Sequence, residues 1–372
     1  MDLESPKRRY YSPKSCSRQG AGMRIVVIGA GAVGGWVGGR LAVAGHTVTL
    51  VGRPALVQAV RREGLRLRSP DGEEVLWEVT AVASIAEAAS SDPYDLALVT
   101  VKSYDTEAVI AEVKAAGLEA RYFLSLQNGV FNEERLAAAF GAERIVAGTF
   151  LNPVSVPAPG TVVLEKRKGG VGLAPLDPGR SVASWVAAFN EAGLPTRAYA
   201  DYRAMKWSKL LLNLIGNASA AILDLSSGAV FAHPRLCRLE LRAMRETLAV
   251  MRRLSIPVVA LPGYPVPLLA WAVRWLPAPL LCPLLRRLVA GGRGAKPPSL
   301  LIEMRRGRRR TEVEDLNGAV VHWGAQVGLE TPVNRALTET LSRLAEGRIT
   351  WDEIRHRPET LLAVVEGMVG RG

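Results

Sequence analysis

The stretch from Met23 to Val51, MRIVVIGAGAVGGWVGGRLAVAGHTVTLV, limits what this chain can fold into more than any other. It opens on a short β-branched run, Ile25-Val26-Val27-Ile28, which suits a parallel strand buried on both faces. The run leads into Gly29-Ala30-Gly31-Ala32-Val33-Gly34, a G-x-G-x-x-G, then an amphipathic helix to about Ala44, a stop at Gly45-His46 and a second strand over Thr47–Val51. In such a βαβ unit the first glycine permits a tight turn, the second lets backbone approach a pyrophosphate, and the third lets helix pack on strand. The helix N-terminus then faces the phosphates.

The end of the second strand selects among dinucleotides. A carboxylate there would hold a ribose 2′-hydroxyl, but the chain reads Val51-Gly52-Arg53, with no Asp or Glu before Glu63. The planar fork of Arg53 suits a 2′-phosphate, so the expected cofactor is NADPH rather than NADH.

Further along, residues 64–82 alternate around Asp71-Gly72 as a hairpin. A buried strand over Asp95–Val101 delivers Lys102, and a strand over Tyr122–Leu126 delivers Gln127-Asn128-Gly129. Ligands of open α/β sheets sit at the carboxyl ends of the strands, which places Lys102 and Asn128 within reach of a bound dinucleotide. Helix 131–140, strand 143–148, a β region to about 175, helix 181–192 and strand 196–200 complete an α/β domain over 23–200. The expected fold class is an N-terminal Rossmann-like doubly wound sheet followed by an all-helical C-terminal domain over 201–372. Residues 1–22, with five Lys/Arg against two acids and little to bury, read as a disordered basic tail. The tail has no apolar core of the kind a signal peptide needs.

In the helical half, AMKWSKLLLNLIGNASAAI predicts one helix over 204–222. Lys209, Asn213 and Asn217 recur at i, i+4 and i+8 on it, a polar stripe among leucines that calls for a polar cavity. Residues 254–273 carry no charge but hold Pro257, Pro262, Pro265 and Pro267, which a membrane-spanning helix accommodates poorly. The segment reads as turns and short helices on the protein body, serving as a lid or as the contact of a homodimer; peripheral membrane contact is a third reading, and stable insertion is not expected. Gly291-Gly292-Arg293-Gly294 reads as a flexible break. Thr311 with Glu314 forms the pattern of a capping box, leaving Glu312 in a first helical turn. Thr331-Pro332 opens a final helix as cap and first residue, and Trp351–Arg357 reads as an exposed element.

The net charge of +12 suits an enzyme of anionic cofactor and anionic substrate, and no nucleic-acid motif accompanies it. The three cysteines, Cys16, Cys237 and Cys282, lie far apart and suggest neither a disulfide framework nor a zinc site, and hence a reducing cytoplasm.

Taken together, GAGAVG, TVKSYD at 100–105, LQNG at 126–129, KLLLN-x-x-x-N at 209–217, and Ser299 followed by RTEVEDLNG at 310–318 resemble the ketopantoate reductase (2-dehydropantoate 2-reductase) family from Met23 to about Leu344. The resemblance implies a Rossmann domain, a helical domain and an active site in the cleft between them. It implies NADPH-dependent reduction of 2-dehydropantoate to pantoate, a step of pantothenate and coenzyme A synthesis. By the same resemblance Lys209 is the catalytic, substrate-contacting lysine, and Asn213, Asn217 and Ser299 bind substrate. Lys102 and Asn128 contact the cofactor, Asn128 also serving the substrate, and Glu312 touches the nicotinamide half and supports catalysis. The glycine loop, Gly29, Ala30, Gly31, Ala32, Val33 and Gly34, with Arg53, holds the remainder of the cofactor.

The chain departs from the family at Ala218, where proline is usual, at Ser227, where a further substrate-binding asparagine is usual, in one extra residue between Ser299 and Glu312, and in an enlarged apolar segment over 254–295. These departures bear on the substrate rather than the cofactor. The alternatives are a reductase of another 2-oxo acid and a non-catalytic nucleotide-binding module, regulatory or membrane-associated. In the implied chemistry a hydride reaches the C2 carbonyl of a 2-oxo acid while the Lys209 ammonium, its pKa lowered by partial desolvation, stabilises and protonates the oxygen.

Overall fold

A computed structural model describes residues 8–11, 22–293 and 297–369, which group into two compact units. The first unit takes the chain up to Gln127, with Asn132–Tyr202 and Pro262–Tyr264; the second comprises Asn128–Phe131, Arg203–Leu261 and the chain from Pro265 onward.

The strands, all in the first unit, are β1 (Arg8–Tyr11), β2 (Arg24–Ile28), β3 (Thr47–Val51), β4 (Leu65–Ser69), β5 (Gly72–Leu76), β6 (Thr80–Val82), β7 (Tyr94–Val99), β8 (Ala120–Ser125), β9 (Ile145–Phe150), β10 (Val154–Ala158), β11 (Thr161–Leu164), β12 (Val171–Pro175) and β13 (Thr196–Ala198). Its helices are α1 (Ala32–Val43), α2 (Pro54–Glu63), α3 (Ile85–Ala88), α4 (Thr106–Ala115), α5 (Asn132–Phe140) and α6 (Ala183–Glu191). Among the described residues, eight strands form one sheet in the order β13-β12-β9-β8-β7-β2-β3-β6. From β6 to β9 the pairs are parallel, and β12 joins antiparallel to β9.

The strand sequences are continuous apolar runs because both faces are covered. Ile25, Val27, Leu50, Leu96 and Leu98 enter one core, while Val26, Ile28, Val51, Ala97 and Val99 enter the other. Each valine, leucine or isoleucine among them contributes roughly 1.5–3 kcal/mol by leaving water. The chain winds outward from β2 in both directions, through β3 and β6 on one side and β7, β8 and β9 on the other. The topological switch point therefore lies between the carboxyl ends of β2 and β7.

The helix after β2 is not simply amphipathic, as its sequence suggests; it is buried from Gly34 through Gly39 and again at Leu41. A Cβ on Gly38 would lie 2.9 Å from Val27, and one on Gly39 would lie 2.8 Å from Leu67 of β4. The glycines thus let α1 pack closely on the large sheet and on a second, five-stranded sheet ordered β1-β5-β4-β11-β10. The hairpin around Asp71-Gly72 is the β4–β5 pair. Within the tail read as disordered, Arg8–Tyr11 form β1, paired in parallel with β5; residues 1–7 and 12–21 lie outside the described residues.

The second unit is built of helices: α7 (Tyr202–Leu214), α8 (Ala218–Leu223), α9 (Ser227–Ala232), α10 (Pro234–Arg253), α11 (Val266–Trp275), α12 (Ala278–Arg293), α13 (Ser299–Arg305), α14 (Asn317–Gln326), α15 (Pro332–Ala345), α16 (Trp351–Ile354) and α17 (Pro358–Val369). Phe231, Cys237, Leu241, Met244, Val273, Leu281 and Leu285 form a core between α9, α10, α11 and α12. Among the described residues no helix is long and apolar enough to cross a membrane.

Several expectations change here. The single helix over 204–222 is broken at Gly216 (φ +54°), a conformation that costs glycine little. Cys237 and Cys282, 45 residues apart, are joined by a disulfide between α10 and α12, where packing brings their Cα atoms to 6.1 Å. The Thr311–Glu314 capping box is absent. Turns occupy 312–316, α14 starts at Asn317, and the Glu314 carboxylate instead accepts from Ser342 at 3.3 Å.

Pro332 does open α15, but the cap comes from Glu246 of α10, whose two oxygens accept the Val333 and Asn334 N–H groups at 2.9 and 3.0 Å. The Gly291–Arg293 stretch ends α12 rather than breaking the chain, and Gly294 lies outside the described residues. The element around Trp351 is anchored: its indole N–H donates to Ala221 O at 3.2 Å, and Arg355 pairs with Asp224 at 2.6 Å.

Candidate active site

The glycine loop of the first unit leaves β2 at the switch point. Gly29 has φ +100°, and a Cβ there would lie 2.7 Å from the Val101 backbone nitrogen. At Gly34 a Cβ would lie 2.4 Å from Thr100 Oγ1 and 2.6 Å from Gly29 O, so strand and helix could not approach as they do. Gly31 differs: its added Cβ would meet nothing closer than Gly29 O at 3.9 Å, and the residue is exposed. The first two absences of a side chain serve the protein's own packing, while the third leaves open space in front of the α1 N-terminus.

That helix carries no side-chain cap and no acid in its first turn, so its leading N–H groups are left to an anion. Ala30 N donates to Val51 O at 2.9 Å, tying the loop to the end of β3. Ala32 and Val33 open α1 half-buried. Arg53 follows β3 directly, exposed, at the N-cap of α2, and Lys102 follows β7, half-buried, ahead of a short 3-10 turn. These residues fit a dinucleotide: backbone donors for a pyrophosphate and two cations after the strands that flank β2.

Polar side chains cluster in the second unit around the break between α7 and α8. Lys209 and Asn213 share one face of α7, both half-buried. The Asn213 Nδ2 donates to Asn128 Oδ1 at 3.1 Å. Asn217 does not continue the stripe on α7. It sits past the break at the start of α8, buried, donating to Ser299 Oγ at 3.3 Å and accepting from Leu300 N at 3.2 Å. The structure thus pairs Asn128 with Asn213, and Asn217 with Ser299. Glu312 is buried, and its backbone N–H donates to Glu303 Oε2 at 3.1 Å.

The break itself is held by residues that sequence reading passed over. Glu240 of α10, 1 % exposed, accepts from Gly216 N at 2.8 Å and from Ser219 Oγ at 2.5 Å. Ser227 donates to Gly216 O at 3.1 Å. The signal for Glu240 was present: an acid on the buried stripe Cys237, Met244, Thr247, Met251 of α10 has no reason to be there unless it is hydrogen-bonded. On α7, Lys206 is buried more deeply than Lys209, at 3 % exposure.

Comparison with known proteins follows this division. The family model described as Ketopantoate reductase PanE/ApbA matches residues 25–178, and that described as Ketopantoate reductase PanE/ApbA C terminal matches residues 201–345. The chain is 32% identical to a 2-dehydropantoate 2-reductase of Halobacterium salinarum over 330 residues, covering 87% of this chain and 99% of that protein. It is 30% identical to a 2-dehydropantoate 2-reductase of Pyrococcus horikoshii, covering 84% of this chain and 94% of that protein. The crystal structure of a PanE/ApbA family ketopantoate reductase from Ralstonia eutropha superposes with a TM-score of 0.73 at 31% identity, covering 88% of this chain and 99% of that one.

Proposed function

Because this chain belongs to the ketopantoate reductase family of oxidoreductases, we propose that it reduces a 2-oxo acid, 2-dehydropantoate first among them, to the 2-hydroxy acid with NADPH. The observation that carries the reading is the polar cluster at the α7–α8 break, where neutral hydrogen-bonding groups, Asn213, Asn217 and Ser299, accompany Lys209 of α7.

Bound NADPH supplies a hydride to the carbonyl carbon. Lys209 stabilises the charge growing on the carbonyl oxygen, then gives that oxygen a proton and recovers one from water. Asn213, Asn217 and Ser299 bind hydroxyl and carboxylate groups without adding charge that would compete with the lysine. Asn128 orients Asn213, and Glu312 supports the lysine and the nicotinamide ribose. In the first unit Gly29, Gly31 and Gly34 shape the pyrophosphate seat, Arg53 grips the 2′-phosphate, and Lys102 adds a second cation.

The test is steady-state oxidation of NADPH with 2-dehydropantoate and a panel of other 2-oxo acids, beside fluorescence titration of NADPH. Lys209→Ala should lose about 10²–10⁴-fold in kcat while NADPH affinity is retained, because the glycine loop and Arg53 belong to the other unit. Near-normal turnover in that variant would remove the lysine from the mechanism. A second reading has its own observation: Ser227, at the position of a family asparagine, is committed to the backbone of Gly216 and buried at 4 % exposure. A different 2-oxo acid would then be preferred, and the panel would rank it above 2-dehydropantoate.

A further inference from the structure

Helices α11 and α12 bury one face and leave the other open. The buried face contributes Val273, Leu281 and Leu285 to the core against α9 and α10. The open face carries Leu268, Trp271 and Trp275 on α11, at 62 %, 53 % and 65 % exposure, and Leu280, Leu284 and Leu288 on α12, at 65 %, 47 % and 58 %. The spacings, i, i+3, i+7 and i, i+4, i+8, align each trio on one side of its helix. Six of the eight large exposed apolar side chains among the described residues lie here, so the apolar surface is concentrated rather than scattered.

The charges on this layer have one sign. From Leu254 to Arg293 the sequence holds no Asp or Glu. Arg274, Arg286 and Arg287 are exposed on the same two helices, and the Arg274 guanidinium lies 5.1 Å from the centre of the Trp275 ring. In a two-fold contact with a second copy this same stretch offers no carboxylate and would set arginines against arginines. What complements it is an apolar layer edged with negative charge. Paired tryptophans and leucines beside arginines are the composition that settles in the headgroup region of a bilayer.

We propose that the outer face of α11 and α12 docks on the surface of an anionic lipid bilayer, with Trp271, Trp275 and the leucines entering the headgroup boundary and the arginines meeting lipid phosphates. The helices lie on the bilayer rather than across it, since α11 has 10 residues and α12 has 16. The Cys237–Cys282 disulfide fastens α12 to α10, so the platform stays attached to the unit when its outer face is pulled into lipid.

The experiment is co-sedimentation of the full chain with vesicles of phosphatidylcholine alone and of phosphatidylcholine mixed with phosphatidylglycerol, with tryptophan emission recorded in parallel. The wild type should sediment with the anionic vesicles only, its emission should shift to the blue, and added salt should release it. Trp271→Ser with Trp275→Ser should abolish binding without moving Tm, because both side chains are exposed. Each of Arg274→Gln, Arg286→Gln and Arg287→Gln should weaken it about fivefold. The proposal is overturned if the wild type ignores anionic vesicles, if it binds neutral ones equally, or if the tryptophan double variant binds undiminished. It is also overturned if sedimentation equilibrium without lipid finds a dimer that the tryptophan substitutions dissociate.

Discussion

A methyl group at Gly31 would sit 3.9 Å from its nearest neighbour, whereas one at Gly34 would press to 2.4 Å of Thr100 Oγ1. The same substitution should therefore do opposite things at two residues of one motif. Gly31→Ala should leave Tm within a degree or two and weaken NADPH binding, by about 1.5–3 kcal/mol if the charge-assisted backbone contacts to the phosphates are lost. Gly34→Ala should lower Tm before any ligand is added, because helix and strand must separate. Thermal melts with and without NADPH distinguish the two; equal cofactor affinity in Gly31→Ala would show that the open space is not the phosphate seat. Arg53→Ala tests the other end of the cofactor: it should cost about 1.5–3 kcal/mol of NADPH affinity and little for NADH. A wild type that binds both equally would sink the 2′-phosphate argument.

Among the elements, the βαβ unit was readable from sequence because its information is local: β-branched runs, glycine spacing and Gly45-His46 at the helix end. The α7–α8 region was only half readable. Periodicity put Lys209 and Asn213 on one face, but it extended the helix through Gly216, because a single glycine inside an apolar pattern does not announce a left-handed residue. What stabilises the break lies on another helix, at Glu240. Glu240→Ala should lower stability by about 1–3 kcal/mol, leaving the Gly216 N–H unsatisfied, and should raise KM more than it lowers kcat by displacing Asn217; Glu240→Gln should recover part of both. Unchanged kinetics in a folded Glu240→Ala protein would separate the break from substrate binding.

The stop of α1 has a pH dependence of its own. His46 Nδ1 accepts from Met23 N at 3.2 Å, and burial pushes the imidazole below its usual value of 6.5, against the opposing charge of Glu191. A depressed folded value means the unfolded chain takes up the proton more readily. The contribution is present above 6.5 and is lost as pH falls through the folded value. His46→Gln should flatten the fall of Tm on the acid side of pH 6.5. A profile unaltered by the substitution would assign the acid sensitivity elsewhere.

For the whole molecule, the disulfide is the feature that composition concealed most completely. Three scattered cysteines gave no pattern, and only the packing of α12 on α10 brings Cys237 and Cys282 together. The crosslink closes a loop across 45 residues, so breaking it by Cys282→Ser should cost about 2–4 kcal/mol, chiefly by freeing the unfolded chain. Denaturant melts of the variant and of the reduced wild type should agree; a variant as stable as the oxidised protein would show that the thiols are not joined in solution.

The same bond gives the molecule a mechanical signature. Drawn out from its two ends, an oxidised chain can unravel everything outside residues 237–282, but that loop hangs from the sulfur bridge and carries no tension. At roughly 3.3–3.6 Å per extended residue, about 150 Å of thread is withheld until the bridge is reduced. All of α11 lies in the withheld stretch, together with α12 as far as Cys282.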